Sequence, residues 1–297
     1  MAFPAKIGAV SWLTAPGHLL VCDLDGTLLR SDTSLSDAAR DGLNRLVAAG
    51  VALTVASARS TEAMRPLLPG VDVRLPVIEH NGAYISDLRT GEHLVTNALD
   101  PAVADKAVEL LGDPIVTSWD GRRDRVHFGP DLNPGAGWFI GEKRRYRDPR
   151  LTESADLRAV AARERVVMLC SYVPDEQAPA VAETVQAAVG DGARVWAALN
   201  SYSPGWSEVV VQSPLATKGA AILELRQRLD LDGEITVCGD HVNDLPMFAV
   251  ADRRIAPGNA RPAVRAAASV VTGTNDDDGV VTYLADQLAI SRRAAGE

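Results

Sequence analysis

The sequence predicts an α/β fold with a doubly wound parallel sheet and an inserted α+β unit. Short apolar runs alternate with helix-like segments in residues 1–83, and the same alternation returns in residues 212–297. Residues 84–211 instead mix hairpins with helices, which is typical of a separate unit. The 297 residues, 46% of them hydrophobic, are enough for one large domain or two ordinary ones. We therefore predict a core from residues 1–83 and 212–297, interrupted by an insert at 84–211.

The first predicted strand lies in residues 18–29, where an apolar run ends in Asp23-Leu-Asp-Gly-Thr. Such a run is typical of a strand buried on both faces of a parallel sheet. If the chain stays extended to Asp25, both carboxylates point to the same side at the strand's carboxyl end. Open α/β sheets bind ligands in the crevice at that end.

Two carboxylates this close repel each other, and Mg2+ would neutralise them through hard oxygen ligands. In such a site Asp23 would attack phosphorus, and Asp25 would protonate the leaving oxygen. The alternative is a solvated Asp-Leu-Asp-Gly turn, because Asp and Gly are common turn residues.

The following segments complete a strand–helix–strand–helix–strand pattern. Residues 31–50 are predicted as a helix that Ser34 or Ser36 can cap, 51–56 as the second strand, and 77–83 as a third strand followed by a turn. Ser57 follows the second strand, just before a helix that starts near Ser60. A hydroxyl there can bind an anion together with the free helix N–H groups, or it can simply cap the helix.

Within the insert, residues 84–96 are predicted as a hairpin, and alternating helices and strands follow. The predicted helices cover 101–111, 152–163 and 176–189, and the predicted strands cover 115–119, 125–128, 166–172, 194–199 and 208–212. Residues 129–141 are rich in Gly and Pro and are predicted as a linking segment.

A basic run follows the linking segment; its cationic residues are Lys143, Arg144, Arg145, Arg147 and Arg150. Such a run is usually a solvated face. The alternative is that one or two of the guanidinium groups hold an anionic group of a substrate.

The insert also contains four tryptophans, for which core packing is expected and a sugar-stacking face is the alternative: Trp119, Trp138, Trp196 and Trp206.

The pattern of a parallel sheet returns after Pro214. Lys218 opens a predicted helix, where its ammonium lies near the positive helix end unless an anion is close; an exposed lysine is the alternative. A strand at 234–238 then ends in Gly-Asp240-His-Val-Asn-Asp244. The spacing of these two acids suits one metal ligand and one supporting or alternate ligand. The acidic residues at 276–278 are expected to form a solvated loop.

Composition excludes several classes of function. The net charge of −9 argues against nucleic acid or an anionic membrane as the main partner. Three cysteines without metal-ligand spacing suit a reducing cytosol, so we predict a cytoplasmic protein. No apolar run approaches the roughly 18 residues of a membrane span. The stretch from Lys6 to Ala15 is interrupted by polar residues and runs into the first strand, so it is not interpreted as a signal peptide.

Asp23-Leu-Asp-Gly-Thr, Ser57, Lys218 and Gly-Asp240 with Asp244 occur in that order in the chain. In kind and order they resemble the four motifs of the haloacid dehalogenase (HAD) superfamily of phosphohydrolases. Residues 239–244, 258–260 and 278–280 resemble the Cof-type branch (subfamily IIB), which includes sugar phosphatases and carries a C2-type α+β cap between the second and third motifs. The resemblance covers nearly the whole chain. It implies a Rossmann-like core, with residues 84–211 as a cap that sets substrate specificity.

The resemblance also implies a role for each matching residue. The implied roles are nucleophile and Mg2+ ligand for Asp23, general acid/base with its main-chain carbonyl on the metal for Asp25, phosphoryl hydrogen bonding for Ser57, charge neutralisation for Lys218, Mg2+ ligation for Asp240, support or ligation for Asp244 and phosphate contact for Asn243. The residues expected as further substrate contacts are Arg59, Asn81, Arg144, Arg145 and Arg147. The chain has Ser57-Ala-Arg where the branch more often has Thr-Gly-Arg, and His241 where Gly is commoner. Ser57 keeps the hydroxyl that the chemistry needs.

The predicted function is hydrolysis of a phosphomonoester of a small metabolite, first of all a sugar phosphate, with Mg2+ and an aspartyl-phosphate intermediate. One alternative is a phosphomutase of the same superfamily, and another is a non-catalytic binding or regulatory protein on this fold. The complete set of acids argues against the non-catalytic protein. A dehalogenase is disfavoured because a departing halide, unlike an alkoxide, needs no proton from Asp25.

Overall fold

The computed structural model describes residues 12–200 and 202–295, and it forms two compact units. The core unit comprises the chain up to Val95 and from Thr217 onwards, and the inserted unit comprises Thr96–Ala216. The first boundary thus lies after Val95 and not after residue 83. The reason is that the hairpin over 84–96 pairs with a strand of the core unit.

The first part of the core unit contains the predicted alternation of strands and helices. Its elements are β1 (Leu19–Cys22), α1 (Asp37–Ala48), β2 (Leu53–Val55), α2 (Thr61–Met64), β3 (Val77–Glu79), β4 (Tyr84–Ser86) and β5 (His93–Thr96). The Ser36 hydroxyl accepts the backbone N–H of Ala39 at 2.9 Å, which confirms Ser36 as the cap, so helix α1 starts at Asp37 and not at residue 31.

The inserted unit follows. Its elements are α3 (Pro101–Leu111), β6 (Ile115–Trp119), β7 (Asp124–Phe128), α4 (Pro134–Arg145), β8 (Leu151–Glu153), α5 (Leu157–Arg163), β9 (Arg165–Pro174), α6 (Ala178–Val189), β10 (Arg194–Leu199) and β11 (Trp206–Gln212).

The chain then returns to the core unit. Its remaining elements are α7 (Lys218–Arg228), β12 (Ile235–Cys238), α8 (Leu245–Ala249), β13 (Arg253–Ala256), α9 (Pro262–Ala267), β14 (Val270–Val271) and α10 (Gly279–Ala295).

Strand β1 lies inside a five-stranded parallel sheet with the order β14-β13-β12-β1-β2. Val21 lies opposite Val237 on one side and Thr54 on the other. All four residues of β1 are buried, as a strand covered on both faces requires. A parallel bridge between Ala56 and Ile78 brings β3 next to the end of β2.

Helices cover both faces of this sheet. Leu20 packs in one apolar cluster with Leu43 of α1 and Leu284 of α10. Leu19 packs in another cluster, which contains Ile222 of α7. Because successive side chains of a strand point to opposite faces, these clusters confirm the doubly wound core.

The inserted unit is built on a six-stranded sheet with the order β10-β11-β9-β6-β7-β8, antiparallel except for the pair β7–β8. Leu169 of β9 packs in a cluster with Ala107 of α3 and Val185 of α6. Its neighbour Cys170 packs on the other side, in a cluster with Ile140 of α4. The inserted unit therefore has the α+β architecture that the sequence predicts.

Two predictions within the insert are wrong. Residues 134–145 form helix α4 and not a linking segment: the Asn133 side chain accepts the N–H of Ala136 at 2.9 Å, and the glycine at 135 lets the helix approach Tyr172 and Trp206. The helix predicted over 152–163 begins only at Leu157, because residues 151–153 pair with β7.

The acidic loop near residue 277 is bound to the rest of the core unit and is not merely solvated. Asp276 accepts the backbone N–H and the hydroxyl of Ser31, both at 2.8 Å. Asp278 accepts two hydrogen bonds from Arg30 and one from Ser36. The loop therefore fixes the segment that leads from β1 into α1.

None of the helices in the described part of the chain is long and apolar enough to cross a bilayer. The stretch from Lys6 to Ala15, which the sequence analysis did not interpret as a signal peptide, lies mostly outside the described residues.

Candidate active site

The candidate residues of the core unit lie where parallel strands end. Asp23 follows β1, Ser57 lies just beyond β2 and Asp240 just beyond β12. The N–H of Asp23 donates to the carbonyl of Cys238 at 2.8 Å, which holds the ends of β1 and β12 in register. Since the carboxyl ends of parallel strands meet at one edge, the sheet brings distant segments of the sequence together.

Three carboxylates meet at this edge. Asp23, Asp240 and Asp244 each offer an oxygen, and these oxygens lie within 4.8 Å of one another. Lys218 is fully buried, and its Nζ lies 2.5 Å from Oδ1 of Asp23 and 2.6 Å from Oδ1 of Asp244. The ammonium of Lys218 therefore contacts two of the three carboxylates.

Burial and mutual repulsion shift the pKa values in this cluster. Burial raises the pKa of Asp23 well above its ordinary value, Asp244 and Asp240 raise it further, and Lys218 opposes the shift. Burial likewise raises the pKa of Asp240, reinforced by Asp244. Burial alone would lower the pKa of Lys218, but Asp23 and Asp244 outweigh it and raise that pKa, so the lysine is charged. The excess of negative charge and the all-oxygen donor set fit a hard divalent cation such as Mg2+.

Asp244 uses both carboxylate oxygens within the protein. Oδ1 accepts Lys218, and Oδ2 accepts the backbone N–H groups of Asp240 and His241 at 2.9 and 3.0 Å. Asp240 is partly exposed, and its Oδ1 accepts the hydroxyl of Thr27 at 3.2 Å. Asp244 therefore holds Lys218 and fixes the backbone at Asp240 and His241, whereas Asp240 keeps part of its surface open to solvent.

The carboxylate of Asp25 is not part of this group of three acids. Strand β1 ends at Cys22, and the chain turns at Leu24, whose carbonyl accepts the N–H of Thr27 at 3.2 Å. The two oxygens of Asp25 instead accept Nε and Nη2 of Arg59, at 2.7 and 2.6 Å. Arg59, expected as a substrate contact, thus binds the proposed general acid directly.

Ser57 is fully buried at the end of β2. Its N–H donates to the carbonyl of Ile78 at 2.9 Å, and its hydroxyl accepts the N–H of Arg59 at 3.1 Å. The helix that follows is capped by another residue, because the N–H of Thr61 donates to the buried carboxylate of Glu79 at 2.6 Å. The interpretation of Ser57 as the helix cap is therefore unnecessary.

Asn243 and Asn81 contact each other. Nδ2 of Asn243 donates to Oδ1 of Asn81 at 3.0 Å, although 162 positions separate them in the sequence. Asn81 belongs to the turn after β3, which also touches the backbone of Ser57. The structure thus brings together Ser57, Asn81 and Asn243.

Sequence reasoning assigned no role to Thr27 as a partner of Asp240, and none to Asn259, although residues 258–260 carry part of the family resemblance. Nδ2 of Asn259 donates to the carbonyl of Gly26 at 2.8 Å, and Oδ1 accepts the N–H of Asn275 at 2.9 Å. Asn259 therefore holds the loop that follows the two acids of the first motif. The signal was its position after β13, at the same edge of the sheet.

The basic run lies at the end of α4 in the inserted unit. Lys143 and the buried Arg150 both bind Asp148. These two of the five cations therefore belong to an internal ion network and not to a solvated face. These partners hold the pKa of Asp148 below its ordinary value although burial opposes the shift. Arg144 is exposed and lies over the ring of Phe128, 5.2 Å from its centroid.

The other two arginines of the run are exposed as well. Arg145 lies 3.6 Å from the carboxylate of Glu142 and over the ring of Tyr146. Arg147 adopts a left-handed backbone with φ of 52°. Among the tryptophans, Trp138 is half-buried and stacks on the exposed ring of Tyr202, with centroids 5.3 Å apart.

A comparison of the sequence with known protein families agrees with the geometry of the core unit. Residues 20–284 match the family of haloacid dehalogenase-like hydrolases. The chain belongs to this family. The matched range begins in β1 and ends in α10, so it contains every candidate residue named above.

Two curated relatives of this HAD hydrolase are phosphatases. The 5-amino-6-(5-phospho-D-ribitylamino)uracil phosphatase YwtE of Bacillus subtilis is 27% identical over 292 residues, which cover 91% of this chain and 97% of the relative. The pyridoxal phosphate phosphatase YbhA of Escherichia coli is 24% identical over 277 residues, which cover 91% and 98%.

Solved structures share the fold. TM0651 from Thermotoga maritima aligns with a TM-score of 0.74 at 24% identity, covering 91% of this chain and 96% of its own. The HAD subclass IIB sugar phosphatase BT4131 aligns with a TM-score of 0.69 at 20% identity, covering 92% and 99%. The chain is accordingly a HAD phosphatase of the Cof type.

Proposed function

We propose that this HAD phosphatase is a Mg2+-dependent phosphomonoesterase that hydrolyses a sugar phosphate through an aspartyl-phosphate on Asp23. The observation that carries the proposal is the buried contact of Lys218 with Asp23 and Asp244, beside the partly exposed Asp240. A fully buried lysine between two acids is expensive unless the site has to hold concentrated negative charge. A transferring phosphoryl group brings such charge.

Asp23 is the nucleophile in this proposal. Its Oδ1 accepts Lys218, whereas Oδ2 makes no hydrogen bond within the parts of the chain that the structure describes. Oδ2 would attack phosphorus, forming the bond to Asp23 while the bond from phosphorus to the leaving oxygen breaks. Lys218 and the hydroxyl of Ser57 would stabilise the charge on the equatorial oxygens.

Asp25 is the proton donor to the leaving oxygen and then takes a proton from the water that hydrolyses the aspartyl-phosphate. Its side chain is 43% exposed and can therefore reach a substrate. Arg59 fixes its orientation through the paired hydrogen bonds at 2.7 and 2.6 Å. Arg59 would have to share or release Asp25 during proton transfer.

The carboxylates of Asp23 and Asp240 would hold Mg2+, with the main-chain carbonyl of Asp25 as a further ligand and Asp244 as support. The bound cation would offset the charge of the carboxylates and of the phosphate. The three oxygens within 4.8 Å and the raised pKa values of Asp23 and Asp240 support this assignment.

A sugar phosphate is proposed as substrate because YwtE is named for a phosphorylated ribityl compound and BT4131 for sugar phosphates. Both names describe a phosphate on a small polar molecule. The inserted unit is proposed to set specificity, with Arg144, Arg145 and Arg147 as candidates for contact with a distal anionic group.

A phosphate-release screen tests the proposal. Sugar phosphates, phosphoglycerates, nucleotides and cofactor phosphates are offered with Mg2+ or with excess EDTA. We expect phosphate release only with Mg2+, and fastest release from a sugar phosphate. With a substrate that carries a radiolabelled phosphate, rapid quenching should leave the label on Asp23. Asp23→Asn should abolish both signals, whereas the control Asp41→Asn, on an exposed position of α1, should abolish neither. Full turnover in EDTA, or an Asp23→Asn variant that still becomes labelled, contradicts the proposal.

A further inference from the structure

The turn after β3, His80–Gly82, has an unusual backbone. The φ angles of His80, Asn81 and Gly82 are 50°, 58° and 104°. Residues with a Cβ rarely adopt this left-handed region; only Gly, and to a lesser extent Asn, visit it routinely. Two successive non-glycine residues in this region persist only where the surroundings hold them, and such backbones cluster at functional sites.

The left-handed turn contacts the segment that carries Ser57. The N–H of Asn81 donates to the carbonyl of Ser57 at 3.0 Å, and the N–H of His80 donates to the carbonyl of Arg59 at 3.1 Å. These bonds fix the backbone on both sides of Ala58. The turn therefore helps to fix the position of the Ser57 backbone, and with it the hydroxyl, at the edge of the sheet.

The same turn also contacts the segment that carries Lys218. A Cβ added to Gly82 would lie 2.4 Å from the carbonyl oxygen of Thr217, so the two backbones are in direct contact. Thr217 caps α7, since its hydroxyl accepts the N–H of Ala220 at 3.0 Å. Lys218 is the first residue of that helix, so the turn packs against the backbone directly before Lys218.

The side chain of Asn81 reaches the third segment. Its Oδ1 accepts Nδ2 of Asn243 at 3.0 Å. An amide nitrogen carries two N–H groups, so this bond uses one and orients the other. The second N–H of Asn243 has no partner among residues 12–200 and 202–295 and can bind a phosphate oxygen.

We propose that Asn81 is a positioning residue: through the left-handed turn it aligns Ser57 and the amide of Asn243 for one phosphoryl group. This inference rests on the proposed function and deepens it. It replaces the expectation that Asn81 contacts the substrate itself. The identity of the residue follows from the geometry, because the position needs both a left-handed backbone and a side-chain acceptor, and Asn supplies both.

A double-mutant cycle with Asn81→Gly and Asn243→Ala tests the inference. Glycine keeps the left-handed backbone and removes only the side chain, so the turn should persist. Each single variant should lower kcat/KM on p-nitrophenyl phosphate by about 10- to 100-fold, the usual cost of a lost hydrogen bond to a charged group. The kcat/KM of the double variant should be within about 3-fold of that of the less active single variant, because both changes remove the same alignment.

Binding of inorganic phosphate, measured by calorimetry with Mg2+ present, gives the same cycle without turnover. The dissociation constant should rise by a similar factor in both single variants and little further in the double variant. Asp230→Gly is the matched control: it replaces an exposed left-handed residue at the end of α7, where φ is 52°, and should change neither measurement.

Each outcome has a distinct meaning. Losses that multiply in the double variant, or an Asn81→Gly variant equal to the parent, overturn the positioning role while hydrolysis by the parent stands. Coupled losses in phosphate binding, with no hydrolysis of any ester by the parent, support the positioning role and refute the proposed function. A parent that neither binds phosphate nor hydrolyses any ester overturns both.

Discussion

Replacing Lys218 with Met should destabilise the core unit by an amount that depends on pH. The methionine fills most of the volume but leaves Asp23 and Asp244 without the ammonium that now lies 2.5 and 2.6 Å from their oxygens. Asp244 is fully buried and Asp23 nearly so, and removing one partner of a buried ion pair costs about 3–5 kcal/mol.

Protonation sets an upper limit to this cost. The variant can protonate one more carboxylate than the parent, and each pH unit above the ordinary Asp pKa of 3.8 then costs about 1.4 kcal/mol. At pH 7 the limit is about 4 kcal/mol, equivalent to a melting temperature lower by roughly 10 °C.

The sign of the pH dependence follows from the same proton. The additional carboxyl has a higher pKa in the folded variant than in the unfolded chain, so folding takes up a proton and is favoured as pH falls. The stability deficit relative to the parent should therefore shrink by about 1.4 kcal/mol for each pH unit between pH 8 and pH 6.

Urea unfolding of the parent and the variant at pH 6, 7 and 8, in EDTA, measures the deficit. Lys106→Met, on a half-exposed position of α3, is the control for the same chemical change and should be nearly neutral. A Lys218→Met variant as stable as the parent at pH 8, or a deficit that does not vary with pH, would refute the electrostatic account of this site.

Three further outcomes are expected. Excess EDTA should abolish hydrolysis of p-nitrophenyl phosphate and added Mg2+ should restore it; rescue by Zn2+ alone would contradict the oxygen donor set. Gly219→Ala should lower the melting temperature by several degrees and reduce kcat, because the added Cβ would lie 2.2 Å from the carbonyl oxygen of Pro246; a variant indistinguishable from the parent by thermal unfolding would show that α7 and α8 can separate at no cost. Changing Arg144, Arg145 and Arg147 together to Ala should leave p-nitrophenyl phosphate hydrolysis nearly intact and raise KM for the physiological substrate; equal kinetics on both substrates would make the run a solvated face.

Strands and helices with strong local signals could be predicted from the sequence. The limits of α3, Pro101–Leu111, agree with the structure because Asp100 caps the helix, proline occupies its first position and Gly112 ends it. Lys218 was also predictable, because a cation at a helix start calls for a nearby anion.

Other features depend on contacts that sequence patterns do not contain. Helix α4 was missed because its glycines oppose helix formation locally, whereas their lack of side chains allows Gly135 to approach Tyr172 and Trp206. The pairing of Asp25 with Arg59 joins segments 34 positions apart, and only the meeting of strand ends creates it. Local propensity carries no signal for either arrangement.

During synthesis, the central strand β1 emerges from the ribosome long before β12, which pairs with it in the finished sheet. Residues 19–22 must wait for residues 235–238, which takes about 10 to 40 s at usual rates of translation. The inserted unit is continuous in sequence, from Thr96 to Ala216, and can bury its own apolar clusters during this interval. The nascent core meanwhile exposes an unpaired, wholly apolar strand edge, which is the kind of segment that chaperones shield. The insertion that separates Ser57 from Lys218 in the sequence thus also delays the pairing of β12 with β1.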